Sequence, residues 1–367
     1  MASRTRPPLA EFEWAPNGLN KFTIALRENG QFMPLAPNTE MFTSLAVAVN
    51  IGIEMLETAS GRHTLLKLGR RIVEARASNK PPIPFYGDIT MMDTYVDHFL
   101  DRVRSDLPRF IVEDRPSLDQ LADTSKGHWE GDFSSFKPKQ AGSITFNLAR
   151  VKSMVRSHGK YEALRSGSSA QWRPYLDRWQ GFLFMFACAT AHELAHLFVC
   201  YLSLGKDVHT PRRVVHLDYH QAVMVQGQRV IVGESGRWLE AALYGGSLEY
   251  FRDVKQGPDQ TGIAYILDAN VVAYEIPLTT IKCFVENPRR YVFPLEVSRP
   301  GLTEDQVKRS GLRSMGSTGS ARQLPAASNT MSAGMRGMRS FETYSIGIER
   351  LRQRTSNPSL TLAIKVC

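Results

Sequence analysis

Cysteine is scarce in this chain: Cys188, Cys200, Cys283 and Cys367 are widely scattered, and none forms a C-x-x-C pair. That excludes a disulfide-stapled miniprotein and fits a reducing compartment. The N-terminal stretch MASRTRPPLAEFEWAP has no apolar run behind its arginines, so no secretory signal peptide is expected and the expected location is intracellular, in the cytoplasm. There is no P-loop, no G-x-G-x-x-G fingerprint and no G-x-S-x-G elbow, which removes support for nucleotide-binding and serine-hydrolase readings. No internal repeat is present. Long apolar runs are also nearly absent. One exists, FLFMFACATAHELAHLFVCYLSL from Phe182 to Leu204, and it carries His192, Glu193 and His196 in its middle. Ionisable groups are costly at a bilayer centre, so this run is read as a buried helix and no membrane span is expected.

The composition that remains is that of a folded soluble protein, with 43% hydrophobic and 22% charged residues in 367. Such a chain makes one large domain or two of ordinary size. The net charge of +9 is not spread evenly. More than half of it falls between Ser298 and Ser340, in a Ser, Gly, Ala, Met and Arg-rich segment. That segment reads as a basic, low-complexity, flexible element that buries little apolar surface.

Residues 1–40 read as an irregular N-terminal arm. A main domain over 41–297 follows. In it, two helical patterns run from Met41 to Asn79, another amphipathic stretch precedes Pro108, and GSITFNLARV supplies a short strand over Ile144 to Val151. The GHWEGDF segment reads as a turn with a buried Trp. Beyond the apolar helix lie a His-containing loop, a hairpin around QGQ, and a helix in GESGRWLEAALYGGSLEYF. Residues 341–367 form a C-terminal segment whose SLTLAIKV could return to the fold as a strand.

The run His192-Glu193-Leu194-Ala195-His196 is an H-E-x-x-H motif inside a helix, the context that motif requires. Residues four apart share one helical face, so both imidazoles can bind one Zn²⁺ at about 2.0–2.1 Å. Glu193 sits beside that face, where a carboxylate can activate a water. A catalytic zinc needs a third protein ligand and an open position. The pattern H-E-x-x-H-x-x-G-x-x-H is excluded, because Val199 and Leu202 stand where its Gly and His belong. The downstream candidates are His209, His216, Asp218, His220, Glu234 and Glu240. Glu234 opens a helix just after a strand, whereas Glu240 is more securely helical if Ser235 is the N-cap. On a regular helix the two carboxylates point apart and both cannot be ligands, so the choice between them stays open. Tyr244, His220, Tyr219 and Arg237 are the candidates to stabilise a developing oxyanion.

The H-E-x-x-H helix with a Glu on a second helix resembles the gluzincin-type zincin metallopeptidases. The likeness covers roughly Gly142 to Tyr250. The chain is also similar to uncharacterised fungal proteins that carry HELAH followed by GExGRxLExxLFGG, here with Tyr244 in place of the Phe. It departs from the gluzincin N-E-x-x-S-D pattern, since Gly233 and Trp238 occupy the places of the Asn and the final Asp. The resemblance implies an α+β, zincin-like fold, mainly helical, with a small mixed sheet over the active-site helix. It also implies that GSITFNLARV lies above the cleft as an edge strand.

The function expected is that of a zinc-dependent hydrolase, a metallopeptidase or related metallohydrolase, with a peptide or small amide as partner and Zn²⁺ as cofactor. Nucleic acid is not the expected partner. Two other readings remain: a zinc enzyme acting as Lewis acid on a small metabolite, and a non-catalytic interaction protein with structural zinc whose basic 298–340 segment binds acidic partners or RNA.

Overall fold

The computed structural model describes residues 21–317 apart from 80–81, 115–120, 128, 207–208, 218–221, 226–227, 232, 254–256 and 258. The fold is α+β. In chain order it runs through β1 (Ile24–Glu28), β2 (Gln31–Pro34), α1 (Glu40–Glu57), α2 (Ala59–Ala77), α3 (Met92–Ser105), β3 (Arg109–Glu113), β4 (Ala122–Lys126), α4 (Pro138–Ala141) and β5 (Gly142–Asn147). It continues through α5 (Leu148–Leu164), α6 (Ser169–Leu202), β6 (Ala222–Val225), β7 (Gln228–Ile231), α7 (Ser235–Tyr244), β8 (Ser247–Asp253), β9 (Ile263–Leu267), β10 (Ala273–Glu275), α8 (Leu278–Glu286), α9 (Glu304–Arg309) and β11 (Leu312–Ser317).

Helix α1 and the apolar part of α6 from Trp179 onward form the centre. Every residue of α1 from Ser44 to Leu56 is buried, as is α6 from Trp179 to Ala195. A helix apolar all round has no solvent face to offer and is stable only inside a core. The two come close at Gly52, where a Cβ would stand 2.5 Å from the Ala187 carbonyl oxygen and 2.8 Å from Thr190 Cβ. Phe182, Phe184 and Phe186 are fully buried, and each contributes on the order of 1.5–3 kcal/mol by leaving water. By length and composition α6 could cross a membrane, but 94% of its most apolar window is covered by the rest of this fold.

A five-stranded mixed sheet, ordered β2-β1-β3-β5-β4, packs beside these helices. β1, β3 and β5 are mutually parallel, while β2 and β4 are antiparallel at the two edges. This topology corrects two expectations. Residues 24–34 are no irregular arm: β1 and β2 form a hairpin whose turn, Asn29-Gly30, takes φ of 50° and 78°, as a tight hairpin with an Asn-Gly turn requires. And β5 is no edge strand. It lies between β3 and β4, with Asn147 ending it and capping α5 by accepting from the Ala149 N–H. The outer strand beside α6 is β4. Trp129 is buried, as the turn reading of GHWEGDF expects.

A second, antiparallel sheet is ordered β10-β9-β8-β11, and β6 pairs with β7 in the hairpin expected around QGQ. Helix α7 ends sooner than its sequence suggests. Gly245 takes φ of 96° and stops it, and SLEYF becomes strand β8. The 298–340 segment also needs correction in its first part, where α9 and β11 are regular and β11 pairs with β8. Residues 318–367, including SLTLAIKV and the rest of that segment, lie outside the described residues.

Candidate metal centre

Helix α6 places His192 and Glu193 at full burial and His196, on the same helix, partly exposed. The turn before α7 then brings Glu234 against both imidazoles. Glu234 Oε1 lies 3.2 Å from His192 Nε2 and 2.6 Å from His196 Nε2. His192, His196 and Glu234 thus form a group able to hold a metal ion, with one donor atom from each, all within 4.8 Å of one another. His192 is closed off at 0% side-chain exposure, whereas His196 and Glu234 keep 13% and 12%. The accessible side of the group is therefore theirs.

The choice between Glu234 and Glu240 resolves in favour of Glu234 in this group, and Glu240 has a different place. Glu234 is the N-cap of α7, with extended backbone, and its Oε2 accepts the Arg237 N–H. It thus lies off the regular helix, and the rule that separates two carboxylates on one helix no longer applies. Both now meet His192 from different ring edges: Glu240 Oε1 is 2.7 Å from Nδ1. Glu240 is itself pinned, since its Oε2 accepts from Arg237 Nη1 at 2.8 Å and from the Leu248 N–H at 3.0 Å. Arg237 also donates to the Leu248 carbonyl at 2.8 Å and pairs with Glu249 at 3.1 Å. Trp238 stands where the gluzincin pattern has its Asp, and Glu240, two residues on, supplies a carboxylate to His192.

His196 is supported differently. Its Nδ1 meets Ser235 Oγ at 2.9 Å, and Ser235 Oγ accepts from Thr210 at 3.1 Å. Small residues allow this closeness. A Cβ on Gly236 would stand 2.3 Å from His192 Nε2 and Cδ2, so only glycine lets the α7 turn approach the imidazole.

Glu193 lies beside the group without joining it. Thr124 of β4 donates to its Oε2 at 2.7 Å and to its backbone carbonyl at 3.1 Å. The other oxygen, Oε1, is buried without a hydrogen-bond partner among the described residues. Burial pushes this carboxyl above its ordinary range, against the pull of His192, His196 and Thr124.

The donor set fits a cation. Glu240 faces Nδ1 of His192 as an acceptor, which puts a proton there and leaves Nε2 either to donate a second proton to Glu234 or to offer its lone pair to a cation. His196 Nε2 converges on the same carboxylate oxygen. Electron-rich atoms this close need positive charge among them, either protons or a metal. Burial disfavours a charged His192, yet Glu234 and Glu240 overcome it and hold the imidazole up at about 10. Glu234 is held well below its ordinary range, as the two imidazoles outweigh its burial.

Other sequence candidates go elsewhere. Tyr244 is buried, and its hydroxyl donates to Met55 Sδ at 3.1 Å, toward α1. Arg237 is occupied by Glu240 and Glu249. His216 Nδ1 meets Ser247 Oγ at 2.7 Å, and His209 is exposed. Asp218, Tyr219 and His220 lie outside the described residues. Sequence reading missed Thr124, Thr210 and the supporting role of Ser235. Thr124 is 69 residues from Glu193, in a polar strand with no periodic signal. Comparisons with protein-family models, curated proteins and solved structures return no match.

Proposed function

We propose that this protein is a zinc-dependent hydrolase, a metallopeptidase of gluzincin type. The observation that carries this reading is the free, buried Oε1 of Glu193 beside a three-residue donor set. A structural zinc site closes on four protein ligands and has no use for an adjacent base. When bound by His192, His196 and Glu234, zinc supplies a Lewis acid that lowers the pKa of water toward 7 and polarises a carbonyl.

The chain's own residues do the rest. Thr124 holds Oε2 of Glu193, which leaves Oε1 to take the proton from the attacking water and return it to the leaving nitrogen. Glu240 fixes the tautomer of His192, and Ser235 holds the ring of His196. The outer edge of β4, paired on its other side with β5, can accept an extended peptide as an added strand. That favours a peptide over a small metabolite as substrate.

The test is zinc content and peptide hydrolysis in the parent, His192→Ala and Glu193→Gln. About one zinc per chain in the parent, lost in His192→Ala, establishes the centre. Glu193→Gln is expected to keep zinc and lose hydrolysis at least ~100-fold. A fully active Glu193→Gln protein would sink the mechanism.

A further inference from the structure

The outward face of α2 carries exposed cations that have no part in the chemistry just described. Arg70 and Arg71 follow Lys67 by three and four residues, so all three share one side of the helix, with the two arginines about 5–6 Å from the lysine at Cβ. None of them forms an ion pair among the described residues, although Glu74 lies one turn further along the same side. Arg62, by contrast, faces α3, where Asp97 pairs with it. Arg71 Nη2 donates to the Arg213 carbonyl at 3.3 Å, which ties the loop over 209–214 to this face of α2. Arg212 and Arg213 are exposed in that loop, and they too form no ion pair among the described residues. The two elements thus make one surface on which cations clearly outnumber carboxylates. Like charges four residues apart destabilise a helix, so the fold bears this surface at a cost that a polyanion would relieve.

The surface adjoins the metal centre through its backbone. The Thr210 carbonyl accepts from the Gly233 N–H at 3.1 Å, and the Val214 carbonyl accepts from the Glu234 N–H at 2.7 Å. The loop that presents Arg212 and Arg213 is therefore the one that fixes the chain at Glu234. Spacing and surroundings favour an acidic polypeptide as the polyanion. An extended chain rises 3.2–3.4 Å per residue, so carboxylates on alternate residues stand about 6.5 Å apart, close to the separation of one-turn neighbours on α2. The large apolar side chains exposed among the described residues are Phe32, Met33, Tyr86, Met91, Leu278 and Val292, and none belongs to α2 or to the 209–214 loop. This face thus has no Phe, Tyr or Trp ring on which to stack an unpaired base and no apolar wedge to enter a lipid layer. Carboxylates match guanidinium and ammonium donors directly.

We propose that the exposed face of α2, together with Arg212 and Arg213, is a docking surface for an acidic polypeptide segment, an extended stretch rich in Asp or Glu. That the docked chain is also a substrate rests on the hydrolase reading; docking itself is tested by binding. The full chain is titrated into a fluorescein-labelled peptide of alternating Glu and Ser, and into the same peptide with Gln for Glu, and followed by fluorescence anisotropy. At low salt the Glu peptide is expected to bind at least ~10-fold more tightly than the Gln peptide, and to weaken as salt is raised. Lys67→Gln/Arg70→Gln and, separately, Arg212→Gln/Arg213→Gln are each expected to weaken it at least ~3-fold at an unchanged melting temperature. Lys152→Gln/Arg173→Gln removes as much charge from exposed positions on α5 and α6 and is expected to leave binding unchanged. Equal binding of the two peptides, unchanged binding in the α2 and loop variants, or an equal loss in the α5 and α6 variant overturns the proposal. So does a single-stranded oligonucleotide of the same total charge that binds more tightly than the Glu peptide through the same residues, because the face would then belong to a nucleic acid. A protein that docks the Glu peptide here but cleaves no peptide would overturn the hydrolase reading and leave the surface standing; one that cleaves peptides without docking the Glu peptide would do the reverse.

Discussion

The two imidazoles of the centre sit one turn apart on the same helix, yet they are held by opposite means. His192 is backed by a charged chain, Glu240 to Arg237 to Glu249, whose first two members are fully or almost fully buried. His196 is backed by two neutral hydroxyls, Ser235 and Thr210, on the side that keeps some exposure. A buried carboxylate fixes a ring and raises its basicity strongly, but needs its own counter-charge to be stable there. Hydroxyls orient a ring at lower electrostatic cost and need no counter-charge. The deep imidazole is thus the charge-fixed post of the pair, and the outer one, next to the accessible face, is braced by neutral groups.

Four measurements can break or sharpen that contrast. Glu234→Ala removes the carboxylate that both rings share, and zinc content of the purified variant is expected to fall to background; retained stoichiometric zinc would show that the third ligand is another group. Glu240→Ala strips the fixed post. It is expected to weaken zinc affinity about 10–100-fold by competition with a chelator, and to cost about 3–5 kcal/mol in chemical denaturation because Arg237 loses its closest partner while still buried. Ser235→Ala removes a neutral support and is expected to weaken zinc only a few-fold, with a stability loss of about 1 kcal/mol. Equal effects of Ser235→Ala and Glu240→Ala would erase the distinction between the two ligands.

The fourth measurement concerns pH. His216, near the charged side, is depressed to about 4 by burial, with Arg237 adding to this and Glu240 opposing it. A histidine whose folded pKa lies below its unfolded value of about 6.5 favours the fold above that pH. Its contribution is then lost as pH falls from about 6.5 toward 4. The unfolding free energy is expected to fall between pH 7 and pH 4.5 by roughly 2 kcal/mol less in His216→Gln than in the parent. Identical falls would remove His216 as the cause.

Local chemistry was legible in the sequence, and long-range placement was not. H-E-x-x-H reads directly because its two imidazoles and its carboxylate are set by the pitch of a single helix. Glu234 and Glu240 could both be nominated, but ranking them required knowing which residue caps α7. Reading Ser235 as the cap put both carboxylates in competition, and the cap at Glu234 frees them to take different edges of one ring. The Asn29-Gly30 hairpin was in principle readable, since that dipeptide between extended runs favours a tight turn. β4 was not: ADTSK is short and polar, and its position at the sheet edge follows from antiparallel pairing with β5, the next strand in the chain. For the same reason GSITFN, apolar enough to be a strand, gave no sign that it is covered on both sides.

One carboxylate in this site has two occupations. Glu234 offers Oε1 to the imidazoles and uses Oε2 to accept the Arg237 N–H that opens α7. Arg237 in turn grips Glu240 and the start of β8. Filling the centre is therefore expected to order the carboxylate that opens α7, and slower hydrogen exchange at the Arg237 amide is the outcome that would read it.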